Sequence, residues 1–136
     1  MKQLPTIRMA LFFLAAGILI SACSKHEVAS GGADNSGVYV LVSVNGIDLP
    51  ADVSHTGASI KVISGTFEIN ADGTCSSKTV FVPPTGSELE REVAATYTRD
   101  GSKLTMQWKG AGMTVGTLEG NNFTMDNEGM VFVYRK

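Results

Sequence analysis

The sequence predicts an all-β fold, an antiparallel up-and-down barrel of about eight strands, over residues 37–136. Three observations predict it. Apolar and polar residues alternate with period two in run after run of this region, the signature of half-buried strands. The runs are separated by short glycine-containing turns, which join neighbours into a meander. No segment of useful length repeats with helical period. A meander of eight strands hides its edges by closing on itself. A two-sheet sandwich satisfies the same pattern, and closure itself is not written in the alternation.

The first 22 residues are of another kind. Met1 to Arg8 carries Lys2 and Arg8 with no acidic residue, and Met9 to Ile20 is apolar. Those 12 residues would make a helix about 18 Å long. A spanning helix needs about 20 residues, whereas the apolar stretch of a secretory signal has this shorter length. The run ends in Ile20-Ser21-Ala22-Cys23, which resembles the lipobox of bacterial lipoproteins. That motif places an aliphatic residue and two small residues before a cysteine; the small residues let a peptidase reach the backbone, and the thiol accepts diacylglycerol. The resemblance implies cleavage of residues 1–22 and a lipid anchor on Cys23, holding the chain to a membrane of the cell envelope. More than one acyl chain is needed for stable anchoring, which diacylglycerol meets. The uncharged Ser24 implies the outer membrane, by analogy with the sorting of other lipoproteins.

Cleavage changes the charge. Lys2 and Arg8 are lost, leaving 9 basic against 13 acidic residues in a mature chain of 114, a net charge near −4. Nucleic-acid binding needs clustered Lys and Arg, and no basic stripe is present, so no nucleic-acid partner is expected. The chain has two cysteines. With lipid on Cys23, Cys75 has no intramolecular partner, so no disulfide framework exists, and Cys75 reads as a buried small hydrophobe.

From Cys23 the elements follow in order. Residues 23–36 are polar, rich in Gly and Ser and without periodicity, as expected of a flexible tether. Val38, Val40, Val42 and Val44 alternate with Tyr39, Leu41 and Ser43, a strand apolar on both faces that calls for cover on both sides. Asn45 to Ser59 reads as a long loop. Phe67 and Ile69 alternate with Thr66, Glu68 and Asn70, and Cys75 to Val82 is an extended run ended by Pro83-Pro84. Val93, Ala95 and Tyr97 alternate with Ala94, Thr96 and Thr98; Leu104, Met106 and Trp108 alternate with Lys103, Thr105 and Gln107. Met113 to Glu119, Asn122 to Asp126 and Met130 to Arg135 complete the set. Asp72-Gly73, Asp100-Gly101, Gly120-Asn121 and Glu128-Gly129 supply turn residues that tolerate positive φ. Phe67 to Gly73 and Phe123 to Gly129 share one pattern, a hairpin device used twice.

Gly37-Val38-Tyr39-Val40-Leu41-Val42-Ser43-Val44-Asn45-Gly46 resembles the opening of bacterial lipocalin-like lipoprotein domains, Gly-x-aromatic followed by L-x-S-V-N-G. Gly65 to Thr74 and Phe132 to Lys136 fit the same plan, so the resemblance covers residues 37–136. It implies a lipocalin-like barrel able to hold a small hydrophobic ligand. It implies further that Tyr39 is the aromatic at the closed end and that Arg135 is the cation over it, a contact worth roughly 0.5–2 kcal/mol. Asn45 to Ser59, with Ile47, Leu49, Pro50 and Val53, then becomes a lid over the open end. A domain this short makes a shallow cup, and an eight-stranded barrel can be filled by its own side chains.

Catalysis finds little support. A Ser/His/Asp or Cys/His site needs a histidine fixed beside its nucleophile, but His26 lies in the tether, His55 in the loop, and Cys75 on another segment. No His/Cys/Asp/Glu cluster has metal-ligand spacing. Asp126-Asn127-Glu128-Gly129 lacks the ordered ligands of a calcium loop and reads as a turn. Glu88, Glu90 and Glu92 alternate on one face of an extended segment, a solvated edge that discourages pairing more than an acid–base pair across a cleft. The expectation is a non-enzyme without cofactor or metal.

Phe67, Ile69, Tyr97, Leu104, Met106, Trp108, Phe123, Met125 and Phe132 all fall on the expected inner face. They either line an apolar ligand cavity or form the core that any barrel needs, and fold alone does not decide between the two. Two classes of function follow. One is a lipid-anchored carrier or sensor of a small apolar molecule. The other is a filled barrel that binds another envelope protein, for example as an inhibitor of a hydrolase. Ser36-Gly37-Val38-Tyr39 resembles the Ser-Gly-x-x-Tyr loop of envelope lysozyme inhibitors, one residue shorter.

Overall fold

Alternation over residues 37–136 becomes ten antiparallel strands in the structure, a computed structural model that describes residues 34–136. The expected signal peptide, the lipobox with Cys23, and His26 lie outside the described residues. The strands are β1 (Gly37–Val44), β2 (Ile47–Asp48), β3 (Ala51–His55), β4 (Ala58–Ile69), β5 (Thr74–Val82), β6 (Leu89–Asp100), β7 (Lys103–Trp108), β8 (Met113–Glu119), β9 (Asn122–Asn127) and β10 (Met130–Arg135). No helix occurs among the described residues. From β4 to β10 each strand pairs with the next, β10 pairs with β1, and β1 pairs with β4 from Gly37↔Ile69 to Val40↔Thr66. That last pairing closes an eight-stranded antiparallel barrel and excludes the sandwich. Strands β2 and β3 are additions to it.

The segment Asn45 to Ser59 corrects the expectation of a long loop. It contains β2, β3 and the start of β4, with one tight turn leading into β2 and another between β3 and β4. Asn45 and Gly46 have φ of 53° and 77°, and Thr56 and Gly57 have φ of 49° and 82°. Two successive positive φ values match the right-handed twist of a two-residue hairpin. Asn45 also fastens the first turn to β10: its amide donates to the Val131 carbonyl and its Oδ1 accepts from the Val131 amide, both at 2.8 Å. Ala51 and Val53 are buried. The segment is thus a paired extension of the wall, not a free lid, and His55 ends a strand.

A second correction concerns β1. Val38 and Val40 are 51% and 54% exposed, so the outer face of this strand is not covered. Tyr39 and Leu41 point into the core, but so does Val44, because the register slips between Leu41 and Ser43. A bulge adds one residue to one strand of a pair and so changes which parity faces inward. A like slip between Val62 and Ser64 does the same in β4, where Val62, Phe67 and Ile69 are all buried.

The two ends of the barrel differ. The turns β4–β5, β6–β7 and β8–β9 lie at one end with the C-terminus; the turns β3–β4, β7–β8 and β9–β10 lie at the other. The first end is packed shut. Tyr39, Phe67, Phe123 and Tyr134 form an aromatic cluster with ring centroids 4.4 Å apart for Phe67–Phe123, 5.6 Å for Phe67–Tyr134 and 6.3 Å for Tyr39–Phe123. Each such pair adds roughly 0.5–1.5 kcal/mol beyond its buried area. The cation over Tyr39 is Lys136, with Nζ 5.8 Å from the ring centroid, and not Arg135. Arg135 is exposed and its Nε donates to Asn122 Oδ1 at 3.3 Å. The alternation explains the exchange: Tyr134 points inward, so Arg135 must point out, and only the next residue can curl back over the end. Lys136 Nζ also donates to the Ser36 carbonyl, and Tyr39 Oη donates to the Asn35 carbonyl at 2.7 Å. Residues 34–36, expected as the end of the tether, are therefore bound to the closed end.

Candidate functional site

The opposite end holds a cavity of about 390 Å³. Small residues leave the space: Ala58 on β4, Ser77 and Thr79 on β5, and the exposed Ala111 in the β7–β8 turn all line it. Below them the interior is filled. Phe67, Ile69, Leu104, Met106 and Phe123 are buried in the core and do not line the cup. Tyr97 is half-buried near the closed end, where its Oη donates to the Asn70 carbonyl at 2.6 Å. Trp108, Met125 and Phe132 are the members of the sequence-derived set that reach the cavity. All nine stand on the inner face, and the barrel divides them between a solid lower half and a shallow cup.

The cup has two unlike walls. One is apolar: Trp108 from β7, Met125 from β9, and Met130 and Phe132 from β10. The indole Nε1 donates to Thr114 Oγ1 at 2.8 Å, so the ring meets the cavity with its polar atom already satisfied. The other wall comes from β5 and β6. Ser77 pairs with Val93 and Thr79 pairs with Arg91, and all four line the cavity. Arg91 has the parity of Val93 and Ala95 on β6 and lines the cavity at its mouth, where it is exposed. Among the described residues it makes no ion pair and no side-chain hydrogen bond. At the rim, His55 Nε2 stands 3.4 Å from Glu128 Oε2, linking the β3–β4 turn to the β9–β10 turn.

Tyr134 lies in the cup lining with its ring fully buried, and its Oη has no hydrogen-bond partner. Burial pushes this phenol up to about 12; the nearby Ser77 hydroxyl acts in the opposite sense but does not stand in hydrogen-bonding geometry with Oη. Cys75 is buried and free, and burial pushes its thiol up to about 11. A thiol so raised is protonated near neutral pH and is a poor nucleophile. Glu90 and Glu92 are exposed on the outer face of β6, and Lys78 Nζ meets Glu90 at 3.0 Å. They belong to the surface and not to the cup.

Sequence reasoning missed Arg91, Ser77, Thr79 and Tyr134. The signal for Arg91 was present: stepping back by two from Val93 on the apolar face lands on it, between the glutamates of the outer face. Tyr134 carried no such signal, since an inward tyrosine and an unpartnered one look alike in sequence. Comparison with protein-family models, with curated proteins and with solved structures returns no match to this chain.

Proposed function

We propose that this chain is an envelope lipoprotein, anchored through lipid on Cys23, whose lipocalin-like barrel binds a small hydrophobic ligand in its open end. One observation carries the reading: a cavity of about 390 Å³ opens at one end of a barrel whose other end is packed solid. Ligand sites are concave, of roughly 300–1,000 Å³, and mostly apolar with a few placed polar groups. The cup is at the small end of that range and has that mixed lining. A filled barrel acting only through its outer surface would have no use for the small residues that keep this end open.

The test is binding of environment-sensitive apolar probes to the purified full chain, read by probe emission and by quenching or shift of Trp108, the chain's one tryptophan. Saturable binding that a bulky residue in the cup, Ala111→Trp, abolishes while the fold persists is the expected outcome. Absence of binding across a broad panel of small apolar probes would overturn the reading. The anchor is tested separately, by metabolic labelling with a palmitate analogue that Cys23→Ser should remove.

A further inference from the structure

Resting on that reading of the cup, we propose that its ligand is an amphiphile with an anionic, hydrogen-bond-accepting head, a carboxylate in the simplest case. Arg91 and the hydroxyls of Ser77, Thr79 and Tyr134 receive the head, and the wall of Trp108, Met125 and Phe132 receives the apolar body.

Two independent features of the cavity point this way. The first is Arg91. It is exposed at the mouth of the cup, on the parity of Val93 and Ala95, and presents a solvated cation to whatever enters. Here the one carboxylate in the lining is Glu128, and it is engaged by His55 across the rim. Arg91 is thus a cation offered to the cavity, on a chain whose net charge is negative. The guanidinium presents a planar fork of donors that matches a carboxylate. The second is Tyr134. A buried hydroxyl left without a partner costs roughly 1–3 kcal/mol, and buried polar groups in folded proteins are rarely left so. Oη is sealed from the empty cup, so an acceptor at the cup floor would relieve it by parting the side chains above it.

The polar groups are also contiguous. Thr79 is the cross-strand partner of Arg91, and such partners have Cβ atoms about 4.5–5.5 Å apart. Ser77 is two residues along on the same face of β5 and neighbours the Tyr134 hydroxyl. The row therefore runs from the arginine near the mouth down to the phenol. All of its members donate, and none but the hydroxyl oxygens accepts. Arg91, which can only donate and stays charged, selects an anion above an amine.

Decanoate, decanol and decylamine share one apolar body and differ in the head, so they separate this proposal from the reading beneath it. Binding of each to the full chain is measured by calorimetry and Trp108 emission. Decanoate should bind at least tenfold tighter than decanol, and decylamine weakest. Arg91→Gln, at an exposed position, should weaken decanoate about tenfold and decanol much less, so that the preference for decanoate collapses. Tyr134→Phe should weaken decanoate several-fold. Equal affinities for decanoate and decanol, unaltered by Arg91→Gln, would overturn the anionic head while sustaining the apolar cup. Failure of all three to bind would overturn both.

Discussion

The ring of Phe123 occupies the volume that a β-carbon on Gly116 would need, with Cζ only 2.6 Å from where that carbon would sit. Gly116 faces inward on β8, one strand from Phe123 on β9, and pairs with Met125 and Leu104. It has no positive φ to require glycine, so the requirement is space. Phe123 is fully buried among Tyr39, Phe67 and Tyr134 and has nowhere to retreat.

Gly116→Ala should accordingly destabilise the fold by roughly 1–3 kcal/mol, the usual cost of overpacking. Urea denaturation of Gly116→Ala, Phe123→Leu and the double variant checks the cause. The double variant should lose less than the two single losses combined, because residues in contact do not add. Strict additivity would mean that the ring is not what the glycine accommodates.

This contact also marks what the sequence could and could not convey. Alternation is local, so the runs ending at Trp108, Asp126 and Arg135 were legible as strands. The side assigned to all nine inner-face residues, Phe67 through Phe132, holds as well. Bulges are local in structure but silent in sequence: nothing in Leu41-Val42-Ser43 announces that parity slips there, and β1 therefore looked apolar on both faces. Strand β3 has only Ala51 and Val53 as inward apolar residues over five positions, too weak an alternation to separate from a loop. The position of the cup was out of reach for a different reason. Whether an inner residue meets a cavity or a neighbour depends on the size of residues paired with it across strands. Gly65 and Gly116 admit Leu41 and Phe123 low in the barrel, while Ser77, Thr79 and Ala111 leave space above. That is a property of register, not of any one segment.

The closed end makes a prediction about the last residues of the chain. Lys136→Ala removes the ammonium over Tyr39 and the bond to the Ser36 carbonyl. A partly exposed cation–π contact is worth about 0.5–1 kcal/mol, and a loss of that size is expected. Arg135→Ala removes one exposed hydrogen bond to Asn122 and should change stability by less than about 0.5 kcal/mol. Denaturation midpoints of the two variants rank them. A larger loss for Arg135→Ala would restore Arg135 as the closing cation.

Stability should fall in alkali. Burial raises Cys75 from 9.0 to about 11 and Tyr134 from 10.0 to about 12, and both are neutral when protonated. Between the lower and the higher value the unfolded chain has released a proton that the native chain retains, so stability decreases as pH rises. The contribution is complete below about pH 9 and gone above about pH 12. For each group a change of this size corresponds to roughly 3 kcal/mol at most. Burial also raises Tyr39 and Tyr97, which act in the same direction. Urea midpoints should be level near neutral pH and drop from about pH 9 upward, less steeply in Cys75→Ala. Phenolate absorbance should appear late and together with unfolding. A midpoint unchanged up to about pH 11 would contradict the burial of both groups.

Tyr134→Phe should behave against the ordinary expectation for a buried tyrosine. Removing a hydroxyl that makes a hydrogen bond typically costs about 1 kcal/mol. Here Oη has no partner to lose, and its desolvation is uncompensated in the ligand-free chain. The variant should therefore be as stable as the parent or more stable by about 1 kcal/mol. Ser77 keeps its place on β5 in either case, and the aromatic contacts with Phe67 and Phe123 persist because the ring is retained. Added decanoate should then stabilise the parent more than the variant, since ligand that binds the native state raises stability according to its affinity. Thermal denaturation of both chains, with and without decanoate, measures the two effects together. A ligand-free loss above about 1 kcal/mol would mean that the phenol is already satisfied within the barrel, and its part in receiving the head would fall with it.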